Sequence, residues 1–470
     1  MHLLQTQVLG TCSGPPPEQL LKALPKGTRP VLLDSSDGSG WSFLAWDPDC
    51  VLEGTLSPDS DSRTRWPLSR EDPGRLLEEA TANEMWQPST ELPGEAWGGG
   101  WIGWMSFECG HAWESFPWTE APSCSLPDFC FARYRKGIAF SPDGELHLCL
   151  TQELGNEELS EKTELLDSFQ SLLHSCEGLS SGGEEANCEM LEGLQSSSSP
   201  ESFQEKVSLL RDWIGAGELF QANLSHLMGA PFRKSPRLLY SQVRQAQETA
   251  MSAYWENEKG HALLSWSPER FLKIDGEQLQ TSPIKGTAPR GLTPVEDQEL
   301  IAELESNEKE RAELTMIVDM ARNDLGRVAK SGKVHVVSAG KVEHFSTLHH
   351  RTALVNAEWN PSQGISALFR SAFPPASVTG APKVRALQAI AELERESRGP
   401  YCGSFGIWQP GVNRGEFSVL IRTATCMSDR LQVRVGAGIV WDSQPEKEWN
   451  ETLLKARYLE CATPSIQSCR

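Results

Sequence analysis

Two residues that suit acid–base and nucleophilic chemistry, Glu269 and Lys285, bracket the stretch SPERFLKIDGEQLQTSPIKGTAPRG, residues 267–291. A carboxyl can lend a proton to a departing oxygen, and an amine is a nucleophile once it has lost its own. Between them lie two strand-like runs, Arg270 to Ile274 and Glu277 to Ile284, joined by Asp275-Gly276, a dipeptide that favours a two-residue hairpin turn. That turn sets Ile274 against Glu277 and Glu269 against Ser282, bringing acid and amine to one open end. Pro283 and Gly286 predict that the strand stops near Lys285. A surface hairpin with both groups solvated satisfies the same pattern, and the direction of the lysine is left open.

Other groups suit anions and cations. Glu313 sits in NEKERAELTMIVDMARNDL, a predicted helix over 307–325 whose apolar positions Leu314, Ile317, Val318 and Ala321 place that carboxylate beside an apolar surface. Near the end of the sequence, PEKEWNETLLKARYLE predicts a second helix with Glu448, Glu451 and Lys455 along one side, while Trp449, Leu453 and Ala456 pack inward. A solvated Glu451–Lys455 pair explains the second spacing equally well. Arg422 interrupts the apolar run FSVLIRTA, and a guanidinium in such surroundings calls for a bidentate anion. Thr379-Gly380, ahead of a helix beginning near Pro382, offers backbone amides, with Lys383 close by. Gly436 and Gly438, in VRVGAGIV, allow close approach of backbone to a ligand, but the third glycine of a dinucleotide fingerprint is missing.

The elements around these groups are of two kinds. Residues 1–175 alternate short apolar runs with Gly, Pro and Asp, predicting a β-rich region. Residues 176–201 contain SSGGEEANCEM and SSSSPE, a composition that predicts a flexible linker. The region 202–465 opens with a helix over Phe203–Trp213, stopped at Gly215-Ala216-Gly217, and a strand over Glu218–Met228.

Acidic residues outnumber basic ones, 64 to 43, and a net charge of −21 with no basic patch disfavours nucleic acid and anionic membranes as partners. No run approaches the ~18 apolar residues of a membrane span, and the first residues lack a signal-peptide pattern, so a cytoplasmic protein is expected. The 12 cysteines show no CxxC pairs, which predicts neither zinc nor a disulfide framework. Sixteen tryptophans have no functional reading here.

SPERF, PIKGT, LFQANLS, GAPKVRAL and VGAGIV together resemble the chorismate-utilising enzymes, namely anthranilate synthase large components, aminodeoxychorismate synthase component I, and the isochorismate and salicylate synthases. The resemblance is clear over residues 203–462. It implies an α/β (α+β) fold of two interleaved subdomains whose large antiparallel sheets pack face to face with helices outside. It implies chorismate as substrate and Mg2+ held by Glu313, Glu448 and Glu451. Gln221, Thr287, Thr379, Gly380, Lys383, Tyr401, Arg422, Gly436, Gly438 and Lys455 are implied to bind substrate, with Lys285, Glu269 and His344 catalytic. His349 and His350 receive no role.

Lys285 is the discriminating residue. Within the family a lysine there goes with aminodeoxychorismate synthesis, whereas anthranilate synthases read PIAGT. Relatives that add water carry a lysine where this chain has Gln221, and glutamine cannot act as a base at neutral pH. The implied reaction uses ammonia, supplied from glutamine by a separate amidotransferase subunit as a heterodimer, on the route to 4-aminobenzoate and folate. Glu269 would protonate the leaving hydroxyl, neutral Lys285 would form a covalent adduct, and ammonia would displace it. A lysine with an ordinary pKa of about 10.4 stays charged at pH 7, so that scheme requires burial or cationic neighbours. Ser35, Ser36, Met251 and Ser252 match a family tryptophan pocket, although Ala250 stands where relatives carry proline, and a plain strand and turn is the favoured reading. Anthranilate synthesis and a non-catalytic scaffold are the alternatives.

Overall fold

A computed structural model of the 470-residue chain describes residues 1–60, 65–120, 126–155, 158–179, 193–344 and 348–462. Among the described residues, two large sheets dominate, of thirteen and ten strands. Their faces meet over a core that draws Val31, Phe43, Trp255 and Leu263 from the first sheet and Ile102, Trp104, Phe405 and Ile407 from the second. Helices cover the outer faces. Pro17–Ala23 and Pro236–Ala246 pack on the first sheet, and Glu308–Gly326 and Gly364–Ala372 on the second. The expected α/β architecture of interleaved, face-to-face antiparallel sheets is therefore present. Among the described residues the ladders are antiparallel apart from His2–Ser13 with Glu84–Gln87.

Each sheet takes strands from both the 1–175 and the 202–465 regions. Met251–Glu256 pairs with Val31–Asp34 in the first, and Ser404–Gln409 pairs with Gly100–Met105 in the second. Within residues 176–201, the first few close the helix Leu159–Leu179, residues 180–192 lie outside the described residues, and Gln195–Ser196 pairs at a sheet edge. Trp86, Trp101, Trp104, Trp255, Trp266 and Trp359 are fully buried, so much of the tryptophan content serves packing.

The 307–325 helix spans Glu308–Gly326, capped by the Asn307 side chain, which accepts from the Glu310 amide at 3.1 Å. The last helix spans Pro445–Ala456, with Trp449, Thr452 and Ala456 buried. The opening helix and strand of the later region run Pro200–Gly215 and Gln221–Pro231.

The 267–291 hairpin differs in register from the expectation. Ile274 pairs with Leu279 rather than Glu277, because Gly276-Glu277 are the central turn residues and Gly276, at φ +58°, takes the position that demands a left-handed residue. A bulge between Arg270 and Lys273 then moves the register back by one, pairing Arg270 with Ser282. Nor does the chain leave the sheet at Lys285. It resumes as Ile284–Pro289 on Leu348–Trp359, the strand with which Gln278–Ser282 already pairs, with an irregularity at Gly286, whose φ is +91°.

Candidate active site

The chain passes from one sheet to the other at two points that matter chemically. Ala262–Ser267 in the first sheet continues through Pro268 and Glu269 into Arg270–Asp275 in the second. Arg414–Val419 in the second returns through Leu420, Ile421 and Arg422 to Thr423–Met427 in the first. The Val419 amide donates to the Glu269 carbonyl at 3.0 Å and ties the two crossings together. Arg422 thus lies in a bend between strands, not inside an apolar strand as expected, and its φ of +48° is uncommon for a residue with a side chain.

A cavity of about 530 Å³ opens at these crossings. Glu269, Lys285, Thr287, Glu313, Tyr401, Arg422, Gly436, Gly438, Glu448, Glu451 and Lys455 all line it, so the structure gathers acid, amine, carboxylates, guanidinium and glycines from distant segments.

Glu269 is buried, at 4% exposure, and its carboxyl accepts from the Ser377 hydroxyl and the Ile284 amide. Burial raises its pKa to about 7 despite those bonds and the nearby Lys285. Burial also lowers the Lys285 pKa, and the Lys455 ammonium acts in the same direction, while Glu313, Glu269 and Glu451 oppose it. Desolvation therefore favours the proton on the acid and off the amine, the states that proton donation and nucleophilic attack each require.

The Arg422 guanidinium is largely desolvated, which lowers its pKa, and its buried Nη1 has no hydrogen-bond partner. A buried, unsatisfied guanidinium nitrogen is costly unless an anion completes it. Gly436 and Gly438 supply the opposite wall. A β-carbon on Gly436 would stand 2.8 Å from the Tyr401 hydroxyl, and one on Gly438 would stand 2.5 Å from Gln221 Nε2. Lys455 Nζ donates to the Gly436 carbonyl at 3.0 Å and pairs with Glu451 at 2.7 Å.

Glu313 approaches from one helix, and Glu448 and Glu451 from another. Their donors are all carboxylate oxygens, a set that fits a hard divalent cation. Among the described residues, no three His, Cys, Asp or Glu side chains are grouped closely enough to hold a metal ion by themselves. Magnesium, which takes one or two carboxylates and fills its other positions with water and an anionic substrate, would need no such group.

The remaining expected residues lie apart from the cavity wall. Lys383 is occupied elsewhere, bonding Asp324 at 2.7 Å and the Ala372 carbonyl at 3.0 Å, because the first turn of Lys383–Glu394 faces the Glu308–Gly326 helix. Thr379 is buried behind Ser377 and Val378, its hydroxyl donating to the Pro375 carbonyl at 2.8 Å. Gly380 packs against Gln221, where a β-carbon would meet the Gln221 carbonyl at 2.2 Å. Gln221 supports the wall through Gly438, and its Oε1 is buried without a partner.

His344 is exposed, 2.8 Å from His349, and His350 lines the cavity in its stead. Strand alternation explains this exchange. His350 pairs with Thr287, their Nδ1 and Oγ1 atoms 2.8 Å apart, whereas His349 faces away toward His344 and Asp297. Burial, then Arg422, lowers the His350 pKa to about 4, which keeps the ring neutral. Asn223, Glu310, Arg434 and Tyr458 also line the cavity and had no sequence signal of their own. The one available clue was the adjacent pair His349-His350, since a strand must turn one of two neighbours toward each face.

Ser35, Met251 and Ser252 line a separate gap of about 50 Å³. The Ser35 hydroxyl donates to Asp37 at 2.9 Å and Ser36 to the Thr249 carbonyl at 3.0 Å, with Ser252 3.3 Å from Ser36.

Comparison with known proteins identifies the family. A family model described as chorismate binding enzyme matches residues 28–460. Anthranilate synthase component 1 3 of Haloarcula marismortui is 37% identical over 370 residues, covering 77% of this chain and 72% of that protein. Aminodeoxychorismate synthase component 1 of Escherichia coli is 32% identical over 423 residues, covering 89% and 88%. The crystal structure of anthranilate synthase component I from Streptococcus pneumoniae superposes with a TM-score of 0.74 at 26% identity, covering 90% of this chain and 92% of that one. The menaquinone-specific isochorismate synthase of Escherichia coli shares the fold at a TM-score of 0.70 and 18% identity, covering 98% and 95%. This chain belongs to the chorismate-binding enzyme family.

Proposed function

We propose that this protein aminates chorismate to 4-amino-4-deoxychorismate, with ammonia as the nitrogen source, and retains the enolpyruvyl group. The observation that carries the proposal is the meeting in one cavity of buried Glu269, its pKa raised, and half-buried Lys285, its pKa lowered.

Chorismate brings two carboxylates and a hydroxyl. Arg422 receives one carboxylate in a bidentate pair, beside Tyr401 and against the glycine wall. Glu313, Glu448 and Glu451 would hold a magnesium ion, which when bound would supply Lewis-acid withdrawal of charge from the substrate. The Lys285 amine bonds to the ring as the hydroxyl leaves, and Glu269 gives that oxygen its proton, so water departs. Ammonia then bonds at the carbon that bore the hydroxyl while the bond to Lys285 breaks. The lysine leaves as a neutral amine because its nitrogen keeps both protons in the adduct, and the surplus proton, carried by the incoming nitrogen, passes to the Glu269 carboxylate and restores the acid. The sum is chorismate plus ammonia giving aminodeoxychorismate plus water. Gln221 cannot take a proton from water, and water addition is not the reaction favoured.

The sequence contains nothing like a glutamine-hydrolysing triad, so glutamine-dependent turnover calls for a separate amidotransferase subunit, with free ammonia sufficient in its absence. No described helix is long and apolar enough to cross a membrane, and the acidic chain fits a cytoplasmic setting. Anthranilate synthesis is a second reading, favoured by the identity to the Haloarcula protein and opposed by Lys285.

The test incubates the full chain with chorismate, magnesium and an ammonium salt, identifies the product by mass, and assays pyruvate in parallel. Aminodeoxychorismate without pyruvate is the expected result. Anthranilate with equimolar pyruvate overturns the proposal.

A further inference from the structure

A second cavity, of about 290 Å³, lies at the end of the Arg270–Asp275 strand remote from Glu269. It shares no lining residue with the catalytic cavity and none with the gap beside Ser35 and Met251. Its walls come from residues 88–98, from Asp275 at the hairpin tip, and from Gln409, Val412 and Arg414 around the next turn.

Two groups of opposite character line it. Gln409 is 1% exposed, its Nε2 donates to the Gly99 carbonyl at 2.6 Å, and its Oε1 is buried with no hydrogen-bond partner. Arg414 lies over the Trp97 ring with its guanidinium carbon 3.9 Å from the centroid, and its Nη2 donates to the Ala96 carbonyl at 2.9 Å. Among the described residues Arg414 forms no ion pair, although its guanidinium is desolvated enough to lower its pKa. Asp275, Glu416 and Glu95 act on it only from longer range.

A desolvated guanidinium on an aromatic face suits a carboxylate. An orphaned amide oxygen suits an N–H donor. A simple anion would be repelled by the three surrounding carboxylates, and a simple cation by Arg414. A molecule with both charges meets neither objection.

We propose that this cavity binds a small zwitterion, its carboxylate on Arg414 and its ammonium between Gln409 Oε1 and Asp275. Pro88, Leu92, Pro93 and Val412 supply an apolar wall for the rest of the molecule, so a free amino acid with a modest apolar side chain is the ligand class.

The test is calorimetric titration of the full chain with L-valine, L-proline and L-phenylalanine, and with the N-acetyl and amide forms of each. At least one free amino acid should bind with unit stoichiometry, and its N-acetyl and amide forms should bind at least about tenfold more weakly, since each has lost one charge-assisted bond. Arg414→Gln and Gln409→Leu should each weaken binding by a similar factor, while Met251→Lys leaves it unchanged. Gln409→Leu keeps the size of the side chain and decides the matter if Arg414→Gln fails to fold. The proposal is overturned if none of the three binds at millimolar concentration, if the N-acetyl form binds as well as the parent, or if only Met251→Lys abolishes binding.

Discussion

A β-carbon on Gly438 would stand 3.9 Å from Lys285 Nζ, so the amine reaches across the cavity to a wall that is bare backbone. The same β-carbon would stand 2.5 Å from Gln221 Nε2, closer than real contacts allow. Gly438→Ala should therefore displace Gln221 into the space around Lys285. The Gly438 φ lies outside the left-handed region, so backbone strain plays no part. We expect kcat/KM to fall by at least about tenfold with little change in Tm, because a sub-ångström misplacement of reacting groups costs that much. The double variant Gly438→Ala/Gln221→Ala should recover part of the loss, and steady-state kinetics on both proteins checks it.

The opposed shifts at Glu269 and Lys285 predict a bell-shaped pH profile for kcat/KM. The acid must hold its proton, so activity should fall as pH rises past about 7, the Glu269 value, and it should also fall in acid as Lys285 becomes charged. Glu269→Gln should remove the alkaline limb along with most of the rate. A profile whose alkaline limb survives in Glu269→Gln would assign that limb to another group.

Stability depends on the same two protonation states. Glu269 holds its proton to about pH 7 in the fold, against 4.5 for a solvated carboxyl, so its contribution is complete below the lower value and is lost as pH rises through the higher. Glu269→Gln should stabilise the ligand-free protein at pH 8 by up to about 3 kcal/mol. Lys285 is the opposite case, with a lowered pKa that destabilises the fold at every pH below the solvated-lysine value, and Lys285→Met should stabilise most in acid. Denaturant melts at pH 5 and pH 8 separate the two.

Arg422→Met removes a buried donor with no partner, so the free protein should gain about 1–2 kcal/mol while KM for chorismate rises at least about a hundredfold. Arg422→Lys keeps the charge but lacks the fork, and should recover little of the lost affinity. Thermal melts with and without chorismate report both effects, and equal KM values for all three proteins would sink the assignment.

Magnesium dependence should track Glu313 and Glu451. A chelator should abolish turnover, and Glu313→Gln or Glu451→Gln should raise the magnesium needed for half-maximal rate by about ten- to a hundredfold. Lys383→Met, which touches Asp324 and not the cavity, should leave that requirement unchanged.

The sequence by itself determined the local elements and the inventory of chemistry. The helices over 307–325 and 445–456 are legible because apolar positions recur with the helical period, and that period also fixes Glu448, Glu451 and Lys455 on one side. The hairpin is legible through Gly276, and the family through motifs long enough to be specific. Pairing partners distant in sequence leave no such periodic trace. Whether Ile274 meets Glu277 or Leu279 turns on which residue of the turn adopts the left-handed conformation, and the partner of Arg270 turns on a bulge between it and Lys273. Whether His344, His349 or His350 faces the cavity turns on the partner of Leu348–Trp359, since a strand shows opposite faces at successive residues. Lys383 reads as an anion ligand until the fold sets it beside Asp324, and Arg422 reads as a strand residue until the chain is seen to cross between sheets there. The burial that moves the proton affinities of Glu269 and Lys285 in opposite directions comes from both sheets closing on one cavity, and only the tertiary structure decides that.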